Sequence, residues 1–175
     1  MGSEMCIRDR GEWIGYRDAA TSSIPFPNNA SEREKYAQLT ASSTTPTTIL
    51  YFHGGAFFLM DPWTHRKPCA RLARVTAGRC FSVRYRLAPQ HPFPAALLDA
   101  IVAYLNLLYP KEGAMHERVE ARHIVFSGDS AGGCLSLVLL LFILWLRRER
   151  GGILIWNGRK VQVPLPAGVA SMAPW

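Results

Sequence analysis

A serine between two glycines is the clearest chemical signal in the chain. Gly128-Asp129-Ser130-Ala131-Gly132 fits the pattern G-x-S-x-G and lies between a predicted strand and a predicted helix. There the motif makes a sharp, strained turn that raises the serine hydroxyl above the sheet edge, and glycines are needed where strand and helix nearly touch. The amide of Ala131, at the positive end of the helix, can donate to an oxyanion. The motif predicts acyl transfer with Ser130 as the nucleophile.

A second motif, His53-Gly54-Gly55-Ala56-Phe57, directly follows an earlier predicted strand. Small residues in such a loop allow backbone amides to approach a substrate oxygen closely. A serine at a helix start can also be a capping or phosphate-binding residue, and a lone G-x-S-x-G arises by chance. Because the two motifs each follow a strand and come in the right order, acyl-transfer machinery is the favoured interpretation.

The elements around the motifs alternate between strands and helices. Ser31 is a candidate cap for a short helix to Leu39, and Asn157-Gly158 predicts a tight hairpin. Strands that alternate with helices of about ten or more residues predict a mostly parallel sheet with helical crossovers. The predicted strands cover 48–52, 80–85, 123–126, 153–156, 159–163 and 167–172, and the longer predicted helices cover 68–77, 94–109 and 131–148.

Three segments of the chain resemble the hormone-sensitive-lipase-like (GDXG) branch of the α/β-hydrolases. These are residues 53–57, the run Arg-Tyr-Arg-Leu-Ala-Pro-Gln-His-Pro-Phe-Pro-Ala-Ala at 84–96, and residues 128–133; Ala173-Pro174-Trp175 resembles the strand end that follows the nucleophile helix. The resemblance implies an α/β fold, namely a partial α/β-hydrolase fold with a mostly parallel sheet, flanking helices and later strands missing. It also implies a carboxylic-ester hydrolase that acts through a serine acyl-enzyme on a small-molecule ester, without a cofactor or metal.

The same resemblance assigns roles to individual residues. The amides of Gly55, Ala56 and Ala131 would form the oxyanion hole. The family usually has a third glycine where this chain has Ala56; an alanine amide still donates, so the hole should keep its donors but have less room. The residues expected to support the two motifs are His53, Gly54, Gly128, Asp129 and Gly132.

The residues after the nucleophile lack the partners that the family uses. In the family, the triad acid and then the histidine follow the serine, but residues 131–175 contain no aspartate, no histidine and one glutamate, Glu149. A hydroxyl without a base is a weak nucleophile near neutral pH. We therefore expect a nearly inert fragment of an esterase. The alternative is a non-catalytic small-molecule receptor on the same scaffold, as in the plant gibberellin receptors, which resemble this family.

The remaining acidic and histidine side chains are interpreted as structural. Asp129 adjoins Ser130, but adjacent side chains at such a turn point apart, so Asp129 is not expected to be the triad acid. His53 begins the glycine loop and most simply braces it. The other candidates are a structural histidine and a buried bracing acid (His91 and Asp99) and surface or strand-start positions (His65, His116 and His123).

Composition excludes several other classes of protein. Hydrophobic residues make up 49% of the chain and charged residues 19%, which indicates a globular protein. The net charge is +7, but the basic residues are dispersed and do not alternate with aromatic ones, so no nucleic-acid partner is expected. The apolar run Cys134–Leu146 is about 20 Å long as a helix, too short to span a bilayer core of about 30 Å, and predicts a core helix. We expect no membrane span.

The termini and cysteines complete the expectations. Residues 1–10 resemble a translated sequencing adapter and are predicted to be an artefactual leader, followed by a partial cap and linker over 11–47 and an incomplete α/β-hydrolase domain over 48–175. The four cysteines have no metal-site or CxxC spacing, and no signal peptide is apparent, so a cytoplasmic location is expected. The sequence leaves the oligomeric state open.

Overall fold

A six-stranded sheet organises the residues that the structure describes. The structure is a computed structural model, and it describes residues 4–7, 11–16 and 30–174. The sheet has the strand order β1-β2-β4-β3-β5-β8, and β6 and β7 form a separate hairpin. The strands are β1 (Glu4–Ile7), β2 (Gly11–Ile14), β3 (Thr48–Phe52), β4 (Arg79–Val83), β5 (Ile124–Asp129), β6 (Ile153–Trp156), β7 (Arg159–Gln162) and β8 (Gly168–Met172).

The pairing confirms the predicted α/β architecture with a mostly parallel sheet. Strand β3 pairs in parallel with β4 and β5, and β5 pairs in parallel with β8. The antiparallel pairs are β1 with β2 and β2 with β4. The helices are α1 (Glu32–Thr40), α2 (Arg66–Val75), α3 (Ala95–Leu108) and α4 (Ala131–Arg150), with short 3₁₀ helices at Pro62–His65 and Ala121–His123.

Helices cover both faces of β3, as alternating side chains of a buried parallel strand require. Ile49 and Tyr51 lie in a small cluster with Cys69 and Ala73 of α2. Leu50 and Phe52 belong to the larger core on the other face; its members on α3 and α4 include Tyr104, Leu108, Leu135 and Leu139. The central strand therefore ends between two helical layers, and the glycine loop emerges at that end.

The N-terminal segment departs from the expected organisation. The sequence predicts residues 11–14 to be part of a cap and linker, but they form β2 inside the main sheet, where Trp13 and Ile14 are fully buried. Residues 4–7, within the predicted leader, form the edge strand β1. The artefactual origin of the leader stays a prediction, and residues 1–3, 8–10, 17–29 and 175 lie outside the described residues.

Helix α4 is longer than its apolar run indicated, with 20 residues from Ala131 to Arg150. In the part of the chain that the structure describes, it is the one helix long and apolar enough to cross a membrane. A core helix passes the same criterion, and α4 packs Leu135, Leu139 and Ile143 into the main core. The expectation of no membrane span stays a prediction.

Candidate active site

Ser130 lies at the corner between β5 and α4. Its backbone has φ 48° and ψ −121°, a positive-φ conformation that residues with side chains rarely adopt. Two hydrogen bonds hold this strained corner: the Ser130 amide donates to the carbonyl of Met172 at 3.0 Å, and the Cys134 amide donates to the carbonyl of Ser130 at 2.9 Å. The strand β8 and the first turn of α4 thus fix the position of the serine.

The glycines on either side of Ser130 allow the corner to pack against the end of β3. A Cβ atom on Gly128 would lie 2.5 Å from the carbonyl oxygen of Phe52 and 2.5 Å from backbone atoms of Gly132. A Cβ atom on Gly132 would overlap the Phe52 carbonyl and lie 2.6 Å from the carbonyl oxygen of His53. Backbone occupies the space that any side chain would need, so the corner and the glycine loop are in direct contact.

The loop after β3 turns through an unusual run of positive φ values: Gly55 has φ 108°, Ala56 φ 52° and Phe57 φ 65°. The Gly55 carbonyl accepts from the amides of Phe58 and Leu59 at 3.0 and 2.9 Å. These bonds close a tight turn that leaves the amides at its start without partners. Within the described ranges, the amides of Gly55, Ala56 and Ala131 donate to no protein acceptor.

The Asp129 carboxylate joins the glycine loop to the nucleophile corner. Its Oδ1 atom accepts hydrogen bonds from the Gly54 amide at 3.0 Å and from the Tyr51 hydroxyl at 2.7 Å. A Cβ atom on Gly54 would overlap the carboxylate, so any side chain here would push the Asp129 carboxylate out of its present position. Burial, reinforced by the hydrogen bond to Asp129, raises the pKa of Tyr51 well above its ordinary value, and Tyr51 remains a donor. Asp129 therefore links the end of β3 and the glycine loop to the residue before Ser130.

His53 is buried beneath the loop and has no free ring face. Its Nδ1 atom lies 2.7 Å from the carbonyl oxygen of Gly54, and its ring stacks on Tyr85 at 4.3 Å. The Tyr85 hydroxyl donates to the carbonyl of His53 at 2.6 Å. Burial lowers the pKa of His53, so the ring is neutral at pH 7. The contact with Gly54 requires a proton on Nδ1, which fixes the ring as a donor to the loop.

Two of the histidines expected at the surface are largely covered. His65 ends the 3₁₀ helix Pro62–His65, its side chain is 14% exposed, and its Nε2 atom lies 3.3 Å from Oδ1 of Asp129. His116 is half-buried against Trp13, with ring centroids 5.3 Å apart, and burial lowers its pKa. The surface interpretation was therefore wrong for both residues. Asp61-Pro62, a cap followed by proline, was the local signal for the turn that carries His65 inward.

The run at 84–96 is held by a buried carboxylate, as predicted for Asp99. Asp99 is 1% exposed and accepts from the Arg86 amide at 2.8 Å and from Arg86 Nε at 2.9 Å. The run is tied to the glycine loop because the Ala88 amide donates to the carbonyl of Phe57 at 2.9 Å. His91 is exposed, and His123 precedes β5 at the end of a 3₁₀ helix. In the described residues, no group of three or more His, Cys, Asp and Glu side chains could hold a metal ion.

Comparisons with known proteins match this arrangement to one family. A family model described as alpha/beta hydrolase fold matches residues 49–175. Lipase 2 of Moraxella sp. is 40% identical over 97 residues, which are 55% of this chain and 22% of that protein. The carboxylic ester hydrolase LipN of Mycobacterium tuberculosis is 35% identical over 138 residues, 77% of this chain and 35% of that protein.

Solved structures give the same result. The crystal structure of an esterase from the bacterial hormone-sensitive lipase family has a TM-score of 0.66 and 26% identity to this chain. The match covers 100% of this chain and 44% of the esterase. The crystal structure of a hormone-sensitive lipase from a metagenome library has a TM-score of 0.59 and 34% identity, with 76% of this chain and 38% of that chain covered. The chain therefore spans less than half the length of each of these four proteins.

Proposed function

Because the chain belongs to the α/β-hydrolase fold family, in its hormone-sensitive-lipase-like branch, we propose that Ser130 is the nucleophile of a carboxylic-ester hydrolase. The observation that carries the proposal is the 3.0 Å hydrogen bond from the Gly54 amide to Asp129. The bond joins Gly54, which precedes the free amides of Gly55 and Ala56, to Asp129, which precedes Ser130. Lipases and esterases among the relatives support the same reaction class.

The proposed reaction proceeds through a covalent acyl-enzyme on a small-molecule ester. The Ser130 oxygen attacks the ester carbonyl carbon while its proton passes to a base, and the carbonyl oxygen becomes an oxyanion. The free amides of Gly55, Ala56 and Ala131 are the proposed donors to that oxyanion, assisted by the positive end of α4. The alcohol leaves with a proton, and water then hydrolyses the acyl group from Ser130.

We further propose that the 175-residue polypeptide by itself turns over esters very slowly. Glu149 is the one acidic residue after Ser130; it lies in the last turn of α4 and pairs with Arg148 at 3.2 Å. His53 is buried and bonded to Gly54, and His65 faces Asp129. Template serine hydrolases that lack a triad member still react about 10³ to 10⁴ times faster than the reaction in water, because the oxyanion hole and substrate binding remain.

Covalent capture of the serine tests the nucleophile assignment without requiring turnover. The purified chain is incubated with p-nitrophenyl acetate and digested, and acetylated peptides are quantified by mass spectrometry. We expect acetyl groups to build up slowly on Ser130, since the oxyanion hole still assists acylation and deacylation also lacks a base. They should disappear in Ser130→Ala and in chain unfolded with urea. Equal acetylation of Ser130 in the folded and unfolded chain would refute an activated serine.

Steady turnover tests the second part of the proposal. The release of p-nitrophenol beyond one equivalent is measured for this chain and for an intact esterase of the same family. A rate within about tenfold of the intact enzyme that is abolished by Ser130→Ala would contradict the expected loss of about 10⁴- to 10⁶-fold for a missing triad member. It would mean that a base lies within these 175 residues.

A further inference from the structure

His65 has a position that the proposed reaction does not use. It ends the 3₁₀ helix Pro62–His65, and its side chain lies over the end of the central strands. Its ring centroid is 5.7 Å from that of His53 and 6.2 Å from that of Tyr51. Its Nε2 atom lies 3.3 Å from Oδ1 of Asp129. A histidine from a separate element thus meets the carboxylate next to the proposed nucleophile.

The same carboxylate oxygen holds the glycine loop. Oδ1 of Asp129 accepts from the Tyr51 hydroxyl at 2.7 Å and from the Gly54 amide at 3.0 Å. Tyr51 and Gly54 belong to β3 and to the loop that follows it, so both donors approach from one stretch of chain. His65 is the donor from a different element. A carboxylate that is one-third exposed can rotate, and a third donor restricts that rotation.

Thr64 orients the His65 ring so that Nε2 carries the proton. The Nδ1 atom of His65 lies 2.7 Å from Oγ1 of Thr64, and that hydroxyl is also 2.7 Å from the carbonyl oxygen of Asp61. In a neutral ring whose Nδ1 accepts from Thr64, Nε2–H donates, but the single hydroxyl hydrogen of Thr64 is then turned away from the Asp61 carbonyl. In a protonated ring, Nδ1 donates to Thr64, whose hydroxyl donates to Asp61, and Nε2–H again donates. The remaining neutral tautomer would face the carboxylate with a bare nitrogen, which is repulsive.

We propose that His65 is a positioning residue that acts through Asp129 to hold the Gly54 amide, and with it the amides of Gly55 and Ala56, beside Ser130. This inference rests on the proposed function, since the amides that His65 positions are those of the proposed oxyanion hole. His65 touches none of the reacting atoms in this role. Its contribution is to keep the carboxylate turned toward the loop.

Hydrogen exchange at the Gly54 amide tests this role directly. In the 15N-labelled chain, His65→Leu removes the donor, and we expect the Gly54 amide to exchange about tenfold faster or more, as for loss of a hydrogen bond to a charged group. His65→Gln has an amide nitrogen that reaches the position of Nε2 and should keep exchange within about threefold of wild type. His65→Asn has its nitrogen at the position of Nδ1 and should behave like His65→Leu.

The pattern across variants separates positioning from a general structural role. Amides of α3 should exchange as in wild type in all three variants, since α3 packs in the main core and His65 lies beside Tyr51 of the smaller cluster on the other face of β3. Unchanged Gly54 exchange in both His65→Leu and His65→Asn would overturn the proposal, as would equal acceleration of Gly54 and α3 amides. Failure of His65→Gln to rescue exchange would overturn it as well.

A parallel measurement keeps this inference distinct from the proposed function. Acetylation of Ser130 by p-nitrophenyl acetate should fall about tenfold in His65→Leu and His65→Asn and be retained in His65→Gln. If wild-type Ser130 is not acetylated at all, the proposed function fails, and the exchange pattern still decides whether His65 positions the loop. If Ser130 is acetylated equally in all variants, the positioning role is refuted and the nucleophile assignment stands.

Discussion

Backbone strain is concentrated at the residues assigned to acyl transfer. Ala56, Phe57 and Ser130 all have positive φ, a conformation that costs on the order of 1 to 3 kcal/mol for a residue with a side chain. The bonds that hold them come from outside the two motifs: Met172 accepts from Ser130, and Ala88 donates to Phe57. The site geometry is therefore a property of the packed sheet, and the motifs alone do not determine it.

The close contact at Gly132 makes it the most sensitive glycine in the site. Alanine is favoured over glycine in a helix by about 1 kcal/mol, but a Cβ atom here would overlap the carbonyl of Phe52. Overpacking against rigid backbone costs about 3 kcal/mol, so the clash outweighs the propensity. We expect Gly132→Ala to lower the free energy of unfolding by about 2 kcal/mol or more, measured by urea denaturation.

Gly168 provides the matched control for that substitution. A Cβ atom there meets no heavy atom within 4 Å, and its φ is not in the positive region. Gly168→Ala should change the free energy of unfolding by less than about 0.5 kcal/mol. Equal midpoints for the two variants would show that the corner relaxes, and that the tight packing at Gly132 is not a constraint on the sequence.

Two covered histidines give stability a defined pH dependence. Burial lowers the pKa of His53 and of His116 below their ordinary value of 6.5 in the folded chain. The unfolded chain therefore binds protons first, so the free energy of unfolding should fall as the pH drops below about 6.5. We expect the free energy of unfolding to fall less between pH 7 and pH 5 in His116→Gln than in wild type, measured by urea denaturation at each pH. His91→Gln controls for the loss of an exposed histidine, and a steeper fall in His116→Gln would contradict the prediction.

The sequence predicts the chemical groups of the site better than the contacts that hold them. The motifs around Ser130 and Gly55 are short, and each follows its strand directly, so local patterns reveal them. The contact between His65 and Asp129 joins residues far apart in the chain, and it forms because a 3₁₀ helix turns His65 back over β3. No periodicity marks a single side chain at the end of a four-residue 3₁₀ helix. That is why the sequence predicts a surface or strand-start position for His65, which is wrong.

Elements with local signals are predicted closely, and those that depend on distant partners are not. Strand β3 has the predicted bounds 48–52, and the hairpin forms at Asn157-Gly158, both of which have positive φ. The sequence does not predict strand β2, because the strand is four residues long and contains Glu12. That carboxylate is 2% exposed and accepts from Arg66 at 2.9 Å, and this partner becomes its neighbour only in the folded sheet.

The start of α1 is specified by a local capping box that can be tested by itself. The Ser31 hydroxyl accepts from the Glu34 amide at 3.3 Å, and the Glu34 carboxylate accepts from the Ser31 amide at 2.7 Å. Ser31→Ala removes the acceptor and should lower the free energy of unfolding by about 1 kcal/mol. Glu34→Gln keeps an acceptor oxygen and should lose less. Equal denaturation midpoints for Ser31→Ala and wild type would show that α1 frays without affecting the rest of the fold.

Over the whole molecule, the apolar surface is not evenly covered. Helix α4 is buried on its inward face and exposes a second face, with Leu137, Leu141, Leu144 and Trp145 between 38% and 63% exposed. Their spacing of three and four residues places them on one stripe. The described sheet also ends in β8 on the side of α4, and edge strands can pair with another chain. A surface of this kind favours self-association.

Self-association through the outward stripe can be separated from folding by two substitutions. Leu141→Gln with Trp145→Gln removes exposed apolar area at positions where glutamine is almost as good a helix former. The pair should leave the free energy of unfolding within about 0.5 kcal/mol and reduce association, measured by light scattering after size-exclusion chromatography over a range of concentrations. Leu139→Gln is the contrast: Leu139 is fully buried, so the variant should lose about 3 kcal/mol. If the double variant associates as strongly as wild type, the stripe is not the main contact, because its two most exposed side chains have been replaced while the strand edges are intact.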